Sequence, residues 1–249
     1  MLERGIGLLA ERVSSAGRIT VLTGAGVSAA SGVPTFRGAE GLWRNFRPEE
    51  LATPEAFSRD PKTVWEWYEW RRQLVARCRP NPAHEVLAAW SHRYPGFTLV
   101  TQNVDGLHER AGTKNIVCFH GSLWEIACVR GCRSAWREET VPLRELPPRC
   151  PGCLGLARPG VVWFGEAIPR AALEASLSAL DCDLYLAVGT SSVVYPAAGL
   201  AEEARRRGAF TVEVNPEATE ASGQVDLAVA GPAEEVLTRV EEILVSKNR

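Results

Sequence analysis

Ile19-Thr20-Val21-Leu22-Thr23-Gly24-Ala25-Gly26-Val27-Ser28-Ala29 is the stretch on which the fold of this chain turns. Its first five residues are apolar or β-branched, which suits a strand buried in a parallel sheet. The six that follow read G-x-G-x-x-A and lead into a predicted helix. In that context glycines let the backbone approach the pyrophosphate of a dinucleotide seated on the helix N-terminus. Taken alone the glycines fit a plain tight turn equally well. A conventional dehydrogenase would next supply a second strand ending in an acidic residue, about 20 residues on, to hold the ribose. Here Ser31-Gly32-Val33-Pro34-Thr35-Phe36-Arg37-Gly38 follows, which reads as a loop. The stretch therefore predicts a nucleotide site without ordinary hydride-transfer architecture.

Four further runs have the same buried-strand character: Phe97 to Thr101, Leu184 to Val188, Phe210 to Val214 and Val225 to Val229. Amphipathic helical stretches lie between them, notably Arg170 to Leu180 and Pro196 to Arg207, the latter closed by Gly208 at a C-cap position. Strand, helix, strand predicts an α/β fold: a doubly wound, parallel-sheet, Rossmann-like domain. Two segments break the alternation, one rich in Trp and Arg from Pro34 to Trp90, the other holding four cysteines from His120 to Pro159. They predict an inserted smaller module. The expected division assigns 1–37, 91–120 and 160–249 to the large domain, and 38–90 with 121–159 to the small one.

Composition narrows the function. The 249 residues are 45% hydrophobic and 23% charged, which is ordinary globular usage and excludes disorder. A formal charge of −2 lacks the basic field that drives nonspecific nucleic-acid binding, so no direct nucleic-acid partner is expected. No apolar run approaches the roughly 18 residues of a membrane span, and charges interrupt the N-terminal apolar positions where a signal peptide would be continuous. The expectation is a cytoplasmic protein with no membrane partner.

The cysteines carry their own message. Three residues separate Cys128 from Cys132 and two separate Cys150 from Cys153, with seventeen residues between the pairs. Four thiolates in two close pairs suit one tetrahedral Zn²⁺ with no open position, hence a structural ion. Disulfides are the alternative, disfavoured in a reducing compartment. Cys78, Cys118 and Cys182 have no partner at ligand spacing and read as small packed residues.

Four more blocks complete a pattern: Thr101-Gln102-Asn103-Val104-Asp105-Gly106-Leu107-His108, His120-Gly121-Ser122, Gly189-Thr190-Ser191-Ser192 and Val214-Asn215-Pro216. Together with Gly24-Ala25-Gly26-Val27-Ser28 and the paired cysteines, they resemble the sirtuin family of NAD-dependent protein lysine deacylases, over about Gly24 to Ala233. The resemblance implies that NAD is consumed as co-substrate. The acyl-lysine carbonyl oxygen attacks the ribose carbon bearing nicotinamide, and nicotinamide and O-acyl-ADP-ribose leave. His120 matches the base that deprotonates a ribose hydroxyl, a task suited to an imidazole of unperturbed pKa about 6.5. Without the motif, a lone histidine reads better as a core or capping group; His84, His92 and His108 have no comparable context. Asn103, matched with His120 as catalytic, and Asp105 organise the nicotinamide end, though after a strand such residues also simply make a turn. Gln102 matches a residue near the ribose. Thr35, Phe36, Arg37 and Trp43 match the loop that covers the nicotinamide ribose. Thr35 stands where most of the family has aspartate. Gly24, Ala25, Gly26, Ser28, Gly189, Thr190, Ser191 and Asn215 complete the expected NAD site, with Ala233 closing over the adenine.

The resemblance extends to the branch that removes succinyl and malonyl groups. Tyr68 and Arg71 lie three apart on a predicted helix, Trp65 to Arg72, and so share a face. A guanidinium fork takes a carboxylate by two parallel bonds and a phenol adds a third. Aromatic packing is the plain alternative. Ala52 matches a small residue that leaves room for a longer chain. Val162, Trp163, Phe164, Gly165 and Glu166 match the segment along which an acylated peptide pairs as an added strand. Acylated lysine proteins are thus the expected partners. Three other functions remain open from sequence: a conventional NAD oxidoreductase, mono-ADP-ribosyl transfer, and a catalytically silent acyl-lysine binder.

Overall fold

The computed structural model describes residues 2–36 and 47–247. Helix α1 (Leu2–Ser15) precedes β1 (Arg18–Thr23), and the predicted helix after the glycine turn is a 3-10 stretch, Ala25–Ser31. Four helices follow: α2 (Pro48–Leu51), α3 (Pro54–Arg59), α4 (Pro61–Arg77) and α5 (Pro82–Arg93). Next come β2 (Gly96–Thr101), α6 (Leu107–Arg110), β3 (Ile116–Cys118), β4 (Gly121–Cys128), β5 (Trp136–Arg137) and β6 (Ala157–Val161). The chain closes with α7 (Arg170–Ala179), β7 (Leu184–Val188), α8 (Leu200–Arg206), β8 (Phe210–Asn215), β9 (Leu227–Ala230) and α9 (Ala233–Lys247). The expected helix from Pro196 to Arg207 is divided into a 3-10 turn, Ala197–Gly199, and α8. Gly208 follows at φ +96°, as the C-cap reading requires.

Six parallel strands form one sheet in the order β3-β2-β1-β7-β8-β9. The chain winds outward from β1 to β3, then returns beside β1 with β7 and winds the other way. This is the doubly wound arrangement, and its switch point lies between the carboxyl ends of β1 and β7. β3 escaped the sequence reading because three half-buried edge residues carry too little pattern. β9 starts at Leu227, two residues beyond the expected Val225.

Backbone meets backbone at that switch point. Gly24 N donates to Val188 O at 3.1 Å and Gly26 N to Gly189 O at 2.8 Å. A Cβ on Gly26 would lie 2.8 Å from Gly189 Cα, and one on Gly189, at φ +60°, 2.4 Å from Val27 N. The glycines of two separate loops thus interlock, each making room for the other.

The second sheet is antiparallel, in the order β5-β4-β6. Helix α4 starts at Asp60, whose carboxylate accepts from Thr63 N at 3.1 Å, with Pro61 at the first helical position. It lays Trp65, Trp67 and Tyr68 against Leu123, Ile126, Ala157 and Val161 of β4 and β6. Arg72, 1% exposed, spends its guanidinium on backbone: it donates to Leu123 O at 2.5 Å, and to Glu138 O and Thr140 O at 2.9 Å. A planar fork of five donors is what can tie a helix to an irregular loop this way. Helix α5 lies across the expected boundary at residue 90. Its Ala83, Val86, Leu87 and Trp90 pack in the core of the large sheet with Leu9 of α1 and Leu237 of α9.

Gly26→Ala tests the interlocked turn. The added methyl must push two backbones apart, so stability falls by about 1–3 kcal/mol, which lowers Tm by about 2–4 °C per kcal/mol in a chain of this size. An unchanged calorimetric Tm would refute the close approach.

Candidate active site

The carboxyl ends of β1, β2, β7 and β8 face the small module across a cleft of about 1120 Å³. Gly24, Ala25 and Gly26 line it after β1, Gln102 and Asn103 after β2, Gly189, Thr190 and Ser191 after β7, and Asn215 at the end of β8. Thr35 and Phe36 also line it, while Arg37 and Trp43 lie outside the described residues. From the other side come Ala52, Tyr68 and Arg71, with Val162, Trp163, Phe164, Gly165 and Glu166 after β6. The loops are cross-linked. Gln102 Nε2 donates to Thr190 Oγ1 at 2.9 Å, and Asn215 Nδ2 to Thr190 O at 3.4 Å.

His120 lies where the large sheet hands over to the small one, two residues past β3 and just before β4. Its carbonyl accepts from Val162 N at 2.9 Å, and Phe164 N donates to Ala52 O at 2.9 Å, which fixes the segment 162–164 between the two. His120 Nδ1 is 3.2 Å from Gln102 O. A carbonyl only accepts, so Nδ1 carries the proton and Nε2 keeps its lone pair. Burial pushes the His120 pKa below its ordinary 6.5, partly opposed by the Gln102 carbonyl, and so favours the neutral imidazole.

Asn103 donates through Nδ2 to Gly24 O at 3.0 Å and to Ser28 Oγ at 3.2 Å, which braces the β2 loop on the glycine turn. Ser28 and Asp105 are set behind the cleft wall rather than on it, at 0% and 4% exposure. Ser28 Oγ donates to Asp105 Oδ2 at 2.8 Å, and Leu107 N to Asp105 Oδ1 at 2.9 Å. Burial raises the Asp105 carboxyl above the usual range, against those two hydrogen bonds. From there Ser28 joins Asp105 to the amide of Asn103.

The same network takes in two histidines that the sequence reading set aside. Asn81 N donates to His84 Nδ1 at 3.3 Å, leaving Nε2 as the donor toward Ser28 Oγ at 3.4 Å. Burial pushes His84 down to about 4, so the ring is neutral. His108, also pushed down by burial, lies 4.7 Å from it, ring centre to ring centre. The sequence signal available was that His108 falls inside a motif block. Ala233 is not among the residues that line the cleft. It opens α9 with 3% exposure and packs into the large core with Val236 and Leu237, because the helix turns that face inward. Trp67 and the loop Glu217–Glu220 also line the cleft and were missed, lacking any local pattern, while Pro216 beside them closes the Val214-Asn215-Pro216 block.

The wall of the cleft opposite the large sheet has an unusual charge arrangement. Arg71 is 8% exposed, and its guanidinium carbon stands 4.9 Å from the ring centre of Phe36 and 5.0 Å from that of Trp67. Among the described residues no carboxylate forms an ion pair with it. Burial lowers its pKa, opposed by Tyr68 and Asp105. Trp163 Nε1 donates to Tyr68 Oη at 2.9 Å. An indole nitrogen can only donate, so the phenol accepts and keeps its own proton to give. Arg158 holds Glu166 through both carboxylate oxygens, lies 3.6 Å over the Trp163 ring, and so fixes the indole.

Cys128, Cys132, Cys150 and Cys153 gather with their sulfurs all within 4.8 Å of one another. The contacts of 3.4, 3.5 and 3.7 Å are far too long for disulfides and near the ~3.8 Å edge of a tetrahedron with Zn–S of about 2.3 Å. The backbone N–H of Cys132 pulls the Cys128 thiol down to about 6, toward the thiolate a metal requires. The residues fit one zinc ion, and none of the four lines the cleft.

Comparison with known proteins agrees with this geometry. The model of the Sir2 family matches residues 24–196. An NAD-dependent protein deacylase of Aquifex aeolicus is 50% identical over 230 residues, covering 92% of this chain and 96% of the relative. A crystal structure of a Sir2 homologue in complex with NAD superposes with a TM-score of 0.87 at 41% identity, covering 96% of this chain and 94% of that one. A Sir2 protein bound to a myristoylated histone peptide superposes at 0.78 and 30% identity, covering 99% and 100%. With its doubly wound sheet, its glycine-lined switch point and its four-cysteine module, the chain belongs to the Sir2 family.

Proposed function

We propose that this chain is an NAD-dependent protein-lysine deacylase whose acyl pocket favours acyl groups ending in a carboxylate. NAD is the co-substrate, and one Zn²⁺ held by Cys128, Cys132, Cys150 and Cys153 supplies structure to the small module. Relatives carry the deacylase name, and the neighbouring structures hold NAD and an acylated peptide. The observation that carries the chemistry is His120, with Nε2 unprotonated, on the wall that joins the glycine turn to the acyl side.

In this reading Gly24, Ala25 and Gly26 admit the pyrophosphate, Gly189 to Ser191 and Asn215 hold the adenosine half, and Thr35 and Phe36, with Arg37 and Trp43, cover the nicotinamide ribose. Asn103 orders the nicotinamide end. Ser28 and Asp105 hold Asn103 and the glycine turn in register from behind. His120 Nε2 takes the proton of a ribose hydroxyl after the acyl carbonyl oxygen has displaced nicotinamide. Val162 to Glu166 pair with the peptide backbone, which admits many sequences. Seven cysteines without a disulfide suit a cytoplasmic setting, and no described helix is long and apolar enough to cross a membrane.

Specificity for acidic acyl chains is read from Arg71. A buried guanidinium that faces the cleft and forms no ion pair among the described residues leaves a charge for a ligand to match. Tyr68 adds an O–H donor because Trp163 occupies its acceptor side. Ala52, 6% exposed, leaves the depth a longer chain needs.

Four measurements test these roles. His120→Ala should lower kcat by about 100-fold or more while ADP-ribose still binds. In the unmodified chain the base must be neutral, and burial lowers its pKa, so the acid limb of kcat/KM should lie below pH 6.5; a limb above that value contradicts the buried base.

Arg71→Met keeps the length and removes the fork. Charge-assisted bonds are each worth about 1.5–3 kcal/mol, so the ratio of succinyl-peptide to acetyl-peptide kcat/KM should fall at least about tenfold. An unchanged ratio would make Arg71 a packing residue.

Cys150→Ser, or a strong chelator, should release zinc and open the small module at lower temperature, since structural zinc binding is also folding energy. Full thermal stability in the metal-stripped protein would rule the zinc site out.

A further inference from the structure

Past Asn215 the cleft wall is built by an irregular loop, with Pro216 to Glu220 all facing the cavity. It is tied down by a carboxylate from inside the sheet. Glu213 stands on β8, paired in register with Ala187 of β7 and Ala228 of β9, and is 2% exposed. One of its oxygens accepts the hydroxyl of Thr219 and the other the hydroxyl of Ser222. Those hydroxyls are in turn filled by the loop itself. Ser222 Oγ accepts from Thr219 N at 2.8 Å, and Thr219 Oγ1 from Ala221 N at 3.1 Å. Among the described residues no Lys, Arg or His forms an ion pair with Glu213. An apolar side chain would serve a buried strand position better than a carboxylate without a cation. The strand does not call for this residue; the loop does.

We propose that Glu213 is a positioning residue for the dinucleotide: its two hydroxyl bonds set the Pro216–Glu220 wall before the adenosine half arrives. The proposal rests on the reading of the cleft as the NAD site. A wall ordered in advance spares the ligand the cost of ordering it. His120 belongs to a different loop, after β3. Loosening the wall therefore weakens NAD capture and leaves the chemistry of bound NAD largely intact, which separates KM from kcat.

Two substitutions in the whole zinc-loaded chain test this. Glu213→Gln keeps the shape but puts an NH₂ donor where one hydroxyl now donates, so that hydroxyl loses its acceptor and must turn its proton away, and the charge that strengthens both bonds is removed. Ser222→Ala removes one donor to Glu213 and the acceptor of Thr219 N, at a position that is itself neither in the sheet nor on the cavity lining. ADP-ribose is titrated by calorimetry, and turnover is followed with an acetylated peptide. The dissociation constant of ADP-ribose and the KM for NAD should rise about three- to thirtyfold in Glu213→Gln, and in the same direction in Ser222→Ala. The kcat at saturating NAD and the KM for peptide should hold within about twofold. A lower Tm with unchanged ADP-ribose affinity makes Glu213 a purely structural residue and overturns the proposal, as does a fall in kcat at constant KM. If Glu213→Gln does not fold, Ser222→Ala decides by the same criterion. Failure of the unmodified chain to bind ADP-ribose overturns the reading of the cleft, and this proposal with it.

Discussion

Everything in this molecule that can act on a ligand depends on two loops touching backbone to backbone where β1 and β7 end. Adjacent parallel strands whose chains depart in opposite directions must leave a crevice beyond their carboxyl ends. How wide that crevice opens is set by how closely the loops approach. Gly24 and Gly26 on one side and Gly189 on the other reduce the gap to direct N–H to carbonyl contact. Any side chain there would wedge the loops apart, shift Gln102 off Thr190, and carry the whole wall with it.

The polar residues around that contact form two layers. In front stand Asn103, Gln102 and His120, each with at least one atom on the cleft. Behind them Ser28, Asp105 and His84 are almost completely buried and bonded mainly to one another and to backbone, while His108 packs its ring on His84 and bonds the Thr23 hydroxyl. A buried network of this kind is rigid only when its donors and acceptors match. The direction of each bond from Asn81 N through His84 and Ser28 to Asp105 is fixed by groups that can only donate or, as a carboxylate does, only accept. A neutral His84 is required for this sequence of bonds, and burial supplies it.

The small module contributes a rigid opposing wall. Arg72 and Arg71 are neighbours on α4 with opposite employment. One is consumed by three backbone carbonyls and fixes the helix on its sheet. The other is surrounded by aromatic faces and has no anionic partner among the described residues. The contrast follows from helix geometry: successive side chains point about 100° apart, so one reaches the β4–β5 side and the next reaches the cleft.

Sequence by itself determined the parts whose signal is local. The strand and glycine turn at Ile19 to Ala29, the paired cysteines, the helix carrying Tyr68 and Arg71, and the motif blocks around Asn103, His120, Gly189 and Asn215 all follow from spacing within a few residues, and the parallel sheet follows from their order. Tertiary structure alone decided which of these residues reach the cleft. Ser28 and Asp105 point into a buried network, and Ala233 is turned into the core by the inward face of α9. It likewise assigned α5 to the large core, supplied the short edge strand β3, and brought Glu213 under a loop six to nine residues further along. Those outcomes depend on contacts between elements distant in the chain, or on a bend within a loop, and neither has a period that a sequence can display.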